Sequence, residues 1–132
     1  MRILVVDDDF VGREKLKAIL APYGDVDAVP DGEIAVRMVE TAHRDGAPYH
    51  LATMDVNLPG LSGAGAVAQI RVIEKAKGIA EGCGTKVLMI SARADSGAVL
   101  SSFRFGCEGY LVKPATPDNV GAALEKMGIA RV

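Results

Sequence analysis

The sequence predicts an α/β fold, a doubly wound, five-stranded parallel sheet with five helices. Three observations predict it. Short apolar runs rich in β-branched residues alternate with segments of helical period, five times in 132 residues. Four of the five runs stop abruptly at a polar residue and the second at Pro30, and Gly or Pro breaks separate the units. At about 150 residues per domain, residues 1–132 are expected to form one domain. A composition of 49% apolar and 24% charged residues suffices for a packed core.

Ile3 to Val6 reads as a strand buried on both faces, stopped by Asp7-Asp8-Asp9. Val11, Leu16, Ile19 and Leu20 predict a helix from about Gly12 to Leu20, ended by Pro22 and Gly24. Val26 to Val29 is a second strand, and Ile34, Met38, Val39 and Ala42 form the stripe of a second helix. Tyr49 to Met54 is the third strand, closed by Asp55; after the Leu58–Gly63 turn, Val67, Ile70 and Ile73 or Glu74 mark a third helix. Lys86 to Ile90 is a strand ending at Ser91, and Val99, Leu100, Phe103 and Phe105 suggest a helix ending near Gly106. Gly109 to Val112 is the fifth strand, shut off by Lys113-Pro114, and Thr116 or Asp118 can cap a last helix carrying Val120, Leu124 and Met127.

Doubly wound sheets bind ligands outside the carboxyl ends of their strands. Those ends carry Asp7 and Asp8, Asp55, Ser91 and Lys113. In the common order 2-1-3-4-5, strands about 4.8 Å apart bring these groups within side-chain reach of one another. Crowded carboxylates repel unless a cation neutralises them, and an oxygen-only pocket suits Mg²⁺. A bound Mg²⁺ facing Lys113 makes a seat for a phosphoryl group, with Ser91 as a donor and Asp55 placed as the nucleophile of an acyl phosphate.

Ile3-Leu4-Val5-Val6-Asp7-Asp8, Met54-Asp55-Val56-Asn57-Leu58-Pro59-Gly60, Met89-Ile90-Ser91-Ala92 and Gly109-Tyr110-Leu111-Val112-Lys113-Pro114 together resemble the receiver domain of bacterial two-component response regulators, single-domain and chemotaxis-regulator-like. The resemblance covers essentially the whole chain. It implies a flavodoxin-like fold and a switch that accepts a phosphoryl group from a histidine kinase or phosphotransfer protein, catalysing only its own phosphorylation and dephosphorylation. By position, Asp55 matches the phosphoacceptor, and Asp7 and Asp8, with the main-chain carbonyl of Asn57, match the Mg²⁺ ligands. Ser91 and Lys113 match the groups that bind the phosphoryl, and Ser91 and Tyr110 the switch pair. Asn57 and Arg93 fall where the side chain tunes phosphate lifetime, and Lys113-Pro114 matches a cis peptide bond. The implied output is altered binding of a downstream protein through the face of the fourth helix, fifth strand and fifth helix, a face that also suits a homodimer. No output domain is expected within the chain.

Other readings compete. Asp7-Asp8-Asp9 contains the Asp-x-Asp of haloacid-dehalogenase-like phosphatases, with Asp7 as nucleophile, but neither the Val-Thr-like pair after it nor the late acidic pair of that class is seen. A phosphorylation-independent scaffold is disfavoured by a complete site. With 15 Lys+Arg against 17 Asp+Glu, three Tyr, three Phe and no Trp, direct nucleic-acid binding is not expected. No apolar run reaches the 18 or so residues of a membrane span. Cys83 and Cys107 form no C-x-x-C pair, which suits a reducing cytoplasm, and both read as small buried groups. Asp9 reads as a helix cap, and His43 and His50 as structural or surface groups.

Overall fold

The computed structural model describes residues 1–131; Val132, the last residue of the expected domain, lies outside the described residues. The elements run β1 (Arg2–Val6), α1 (Phe10–Leu20), β2 (Asp25–Val29), α2 (Gly32–Arg44), β3 (Leu51–Asp55), α3 (Gly63–Ala76), β4 (Lys86–Ser91), α4 (Ser96–Arg104), β5 (Gly109–Val112) and α5 (Pro117–Lys126). All strand pairs are parallel, in the order β2-β1-β3-β4-β5 that the alternating pattern predicts.

The period of two along each strand divides the core into two layers. Leu4, Val6, Ala52, Met54, Val87 and Met89 face Ala35 and Val39 of α2 and Val67 and Ile70 of α3. Ile3, Val5, Leu51, Leu88, Ile90 and Leu111 face Leu16 and Leu20 of α1 and Val120 and Leu124 of α5. The apolar runs are therefore continuous because both faces are covered.

Each helix begins on a side chain that accepts from the backbone of its first turn: Asp9, Asp31, Ser62, Asp95 and Thr116. Such a cap contributes about 1 kcal/mol and fixes where the chain turns off the sheet edge. Of the two caps predicted for α5, Thr116 is the one used, in a reciprocal box with Asn119, and Pro117 occupies the first turn.

Three details differ from the sequence pattern. Because Asp9 caps it, α1 starts at Phe10 rather than near Gly12, and Val11 is exposed. The ladder with β1 starts at Leu51, so β3 runs from Leu51 through Asp55, and Tyr49 lies before it. In α4 the only buried residue is Ser102, while Leu100 and Phe103, like Phe105 just beyond, are exposed. The apolar spacing of that helix marks a surface rather than a core stripe.

Candidate functional site

The strand register builds the site. Val6 pairs with Met54, Asp55 with Ile90 and Ser91 with Val112, so the residues at the carboxyl ends of β1, β3, β4 and β5 form one row. Asp55 is 5% exposed and closes β3. Its Oδ1 accepts from the Asn57 amide at 3.0 Å and its Oδ2 from Lys113 Nζ at 2.9 Å. Asp7 is also buried, with Oδ1 accepting from the Asp9 amide at 2.9 Å, whereas Asp8 is exposed. Carboxylate oxygens of Asp7, Asp8 and Asp55 converge within 4.8 Å of one another.

The charges do not balance. Burial, and then the Asp55 and Asp8 charges, push the Asp7 carboxyl above its ordinary value, against the opposing pull of the Asp9 amide and Lys113. For Lys113, burial alone would lower the pKa. The hydrogen bond and charge of Asp55, with the charges of Asp7 and Asp8, outweigh it and raise the ammonium above its ordinary value. Three carboxylates facing one ammonium, all oxygen donors, two buried and Asp8 exposed, fit a hard divalent cation that retains waters.

Ser91 is fully buried, and its Oγ accepts from the Arg93 amide at 3.0 Å. Tyr110 packs against the core, and its hydroxyl donates to the Arg93 carbonyl at 2.8 Å. The main chain of Arg93 thus joins the two predicted switch side chains. Its guanidinium lies outward in a two-point pair with Asp95, at 3.0 and 3.1 Å. Asn57 is exposed and meets Asp55 through its amide, and the Lys113-Pro114 bond is cis.

One neighbour was not legible in the sequence. Arg13 Nη1 donates to the Asp7 carbonyl at 2.9 Å, and an arginine on a solvated first turn carries no signal for that contact. Asp9 is the predicted cap, accepting from Gly12 at 3.0 Å. His50 Nδ1 accepts from the Arg2 amide, away from the acidic row. Cys107 is buried, and burial followed by the Glu108 charge pushes its thiol up to about 11; Cys83 is exposed, contrary to the expectation of a buried group, because it lies in the loop before β4. None of the helices among the described residues is long and apolar enough to cross a membrane.

A doubly wound sheet with an acidic trio and a lysine on its carboxyl edge is the arrangement that the sequence resemblance to receiver domains implies. The chain belongs to the response regulator receiver domain family, whose model matches residues 3–125. It is 30% identical over 126 residues to the chemotaxis protein CheY of Listeria monocytogenes, covering 96% of this chain and 97% of that protein. It is 31% identical over 128 residues to the two-component response regulator PhoP of Pseudomonas aeruginosa, covering 96% of this chain but only 51%, about half, of that regulator. Among solved structures, the BeF3-activated receiver domain of DrrB, a Thermotoga maritima protein, superposes with a TM-score of 0.73 at 26% identity, covering 96% of this chain and 95% of that one. The chain is thus a receiver domain of the two-component signalling type.

Proposed function

We propose that this receiver is switched by phosphorylation of Asp55. The observation that carries the reading is the 2.9 Å contact of Lys113 Nζ with Asp55 Oδ2, beside two further carboxylates. The same contact favours Asp55 over Asp7 as nucleophile, because the available ammonium is already on it. An Asp55 oxygen attacks phosphorus in line as the P–N bond of a phosphohistidine breaks; the imidazole nitrogen keeps the electron pair and takes up a proton. The donor is a histidine kinase or phosphotransfer protein, and the chain catalyses the transfer itself.

Asp7, Asp8 and Asp55, with the main-chain carbonyl of Asn57, would hold Mg²⁺. When bound, the ion supplies positive charge that neutralises phosphoryl oxygens. Lys113 stays as the opposing charge, and Ser91 turns its hydroxyl from the Arg93 amide to the phosphoryl group. Because Tyr110 is tied to the carbonyl of the same Arg93, that turn is felt by Tyr110. Phosphorylation then shifts the population between two arrangements of the α4–β5–α5 face, formed by elements that leave Leu100, Phe103 and Val112 exposed. A downstream protein reads that face, which also suits a homodimer, and the setting is the cytoplasm. Asn57 and Arg93, flanking Asp55 and Ser91, tune how long the phosphate lasts.

Incubation with acetyl phosphate and MgCl2 should add one phosphoryl group by intact mass, and Asp55→Asn should add none. A wild type that stays unmodified with both acetyl phosphate and a phosphorylated phosphotransfer protein would overturn the reading.

A further inference from the structure

The Asp7 carboxylate is seated on the first turn of α1. Its Oδ1 accepts from the Asp9 amide at 2.9 Å, and Arg13 Nη1 holds its main-chain carbonyl at 2.9 Å. Its Oδ2 lies over Gly12, where a Cβ would come within 2.5 Å of that oxygen and 3.2 Å of the carboxyl carbon. Gly12 is the third residue of α1 and its φ is not positive, so the backbone there is one that any residue adopts. Glycine is also the poorest helix former after proline. Neither backbone conformation nor helix propensity asks for glycine at this place; the carboxylate does.

We propose that Gly12 is a positioning residue for the acidic pocket: the missing side chain makes the room in which Asp7 turns its carboxylate toward Asp8 and Asp55. The proposal rests on the reading of those three acids as Mg²⁺ ligands. A Cβ at Gly12 forces a displacement, and what it strikes is the carboxylate end of the Asp7 side chain; the cap oxygen of α1, Asp9 Oδ2, is crowded less, at 3.3 Å. Leu16 and Leu20 anchor α1 in the core, so Asp7 yields before the helix does. Gly12→Ala therefore leaves the metal-free fold intact and removes Asp7 from its seat. Loss of groups that orient a metal ligand lowers affinity by about tenfold or more, and the same is expected here.

The test is calorimetric titration of wild type, Gly12→Ala and Gly97→Ala with MgCl2, with melting curves in its absence. Gly97 is the matched control, a glycine in the first turn of α4 whose added Cβ would meet its nearest atom at an ordinary 3.5 Å. Both alanine variants should melt at or above the wild type. Only Gly12→Ala should bind Mg²⁺ about tenfold more weakly, and adding it to Asp7→Asn should cost nothing further. A folded Gly12→Ala with wild-type Mg²⁺ affinity overturns the proposal and leaves the pocket standing. So does an additive loss in the double variant, or a metal-free Gly12→Ala that melts well below the wild type, because then the helix has given way. A wild type without saturable Mg²⁺ binding removes the pocket reading and the role of Gly12 with it.

Discussion

Two groups of charges lie at opposite edges of one sheet, and they are built on opposite terms. At the amino edge, Arg71 of α3 donates to Glu74 and Thr85 O, each at 2.8 Å, to Glu108 at 2.8 and 3.0 Å, and to Gly106 O at 2.7 Å. The acids are satisfied in turn: Glu74 accepts from the Thr85 amide at 2.8 Å and Glu108 from the Val87 amide at 2.6 Å. Gly84 is the space for this arrangement, since a Cβ there would fall 2.0 Å from Glu74 Oε2. At the carboxyl edge, Asp7, Asp8 and Asp55 share one ammonium, Lys113. The first network ties α3 to β4 and to the turn before β5. The second keeps an excess of negative charge in place for a ligand to neutralise.

The comparison breaks most sharply at Arg71. Arg71→Met leaves Glu74, whose side chain is 7% exposed, without its cation. Removing one partner of a buried pair should destabilise the fold by about 3 kcal/mol, read as a lower urea midpoint at unchanged slope. Phosphoryl uptake at the far edge should survive in buffer where the variant stays folded. A loss well under 1 kcal/mol would mean that the amino-edge network is solvated and that the contrast between the edges is false.

At the carboxyl edge the sign reverses. Asp7→Asn relieves repulsion in the metal-free protein and should stabilise it by about 1 kcal/mol, while the melting-temperature rise that MgCl2 gives the wild type should shrink or vanish. The pH dependence follows from the raised carboxyl of Asp7. The folded state holds this proton more tightly than the unfolded chain, so ionising Asp7 costs stability as pH rises above its ordinary value of 3.8. Without metal, the wild type should therefore lose stability relative to Asp7→Asn through that window, and excess Mg²⁺ should cancel the difference. A metal-free Asp7→Asn less stable than wild type would show that the pocket is held by its carboxylates rather than strained by them.

The two edges also differ in how far the sequence disclosed them. Strands one, three, four and five end in Asp7, Asp55, Ser91 and Lys113, and a parallel sheet with short crossovers brings strand ends together whatever the loops do. The carboxyl edge is thus legible as soon as the strand order is assumed. The amino-edge network is not, because Arg71 and Glu108 lie far apart in sequence and meet through the α4–β5 turn. Glu74 stood on the predicted stripe of α3 and is indeed buried there, but spacing cannot tell a paired carboxylate from a methyl group. Leu100 and Phe103 fail for the converse reason: helical spacing reports which residues share a face, not whether anything covers it.

The smallest effect lies in a second amino-edge contact. Tyr49 is buried, its hydroxyl donates to Asp27 Oδ2 at 2.6 Å, and the Arg2 guanidinium stacks 4.4 Å from its ring centre. Tyr49→Phe keeps the ring and removes one hydrogen bond to a carboxylate whose side chain is half exposed, which holds the loss to about 1 kcal/mol. Burial, then the Asp27 hydrogen bond and charge, push the phenol from 10.0 up to about 12. Because the folded state keeps this proton longer, the stability tied to it is whole below pH 10 and declines as pH rises through 12. The difference in stability between wild type and Tyr49→Phe should therefore narrow over that interval, and the ultraviolet titration of the wild type should show a late phenol that Tyr49→Phe lacks. A Tyr49 that ionises near pH 10 with the fold intact would make this contact a solvated one, and the amino edge would then owe its order to Arg71 alone.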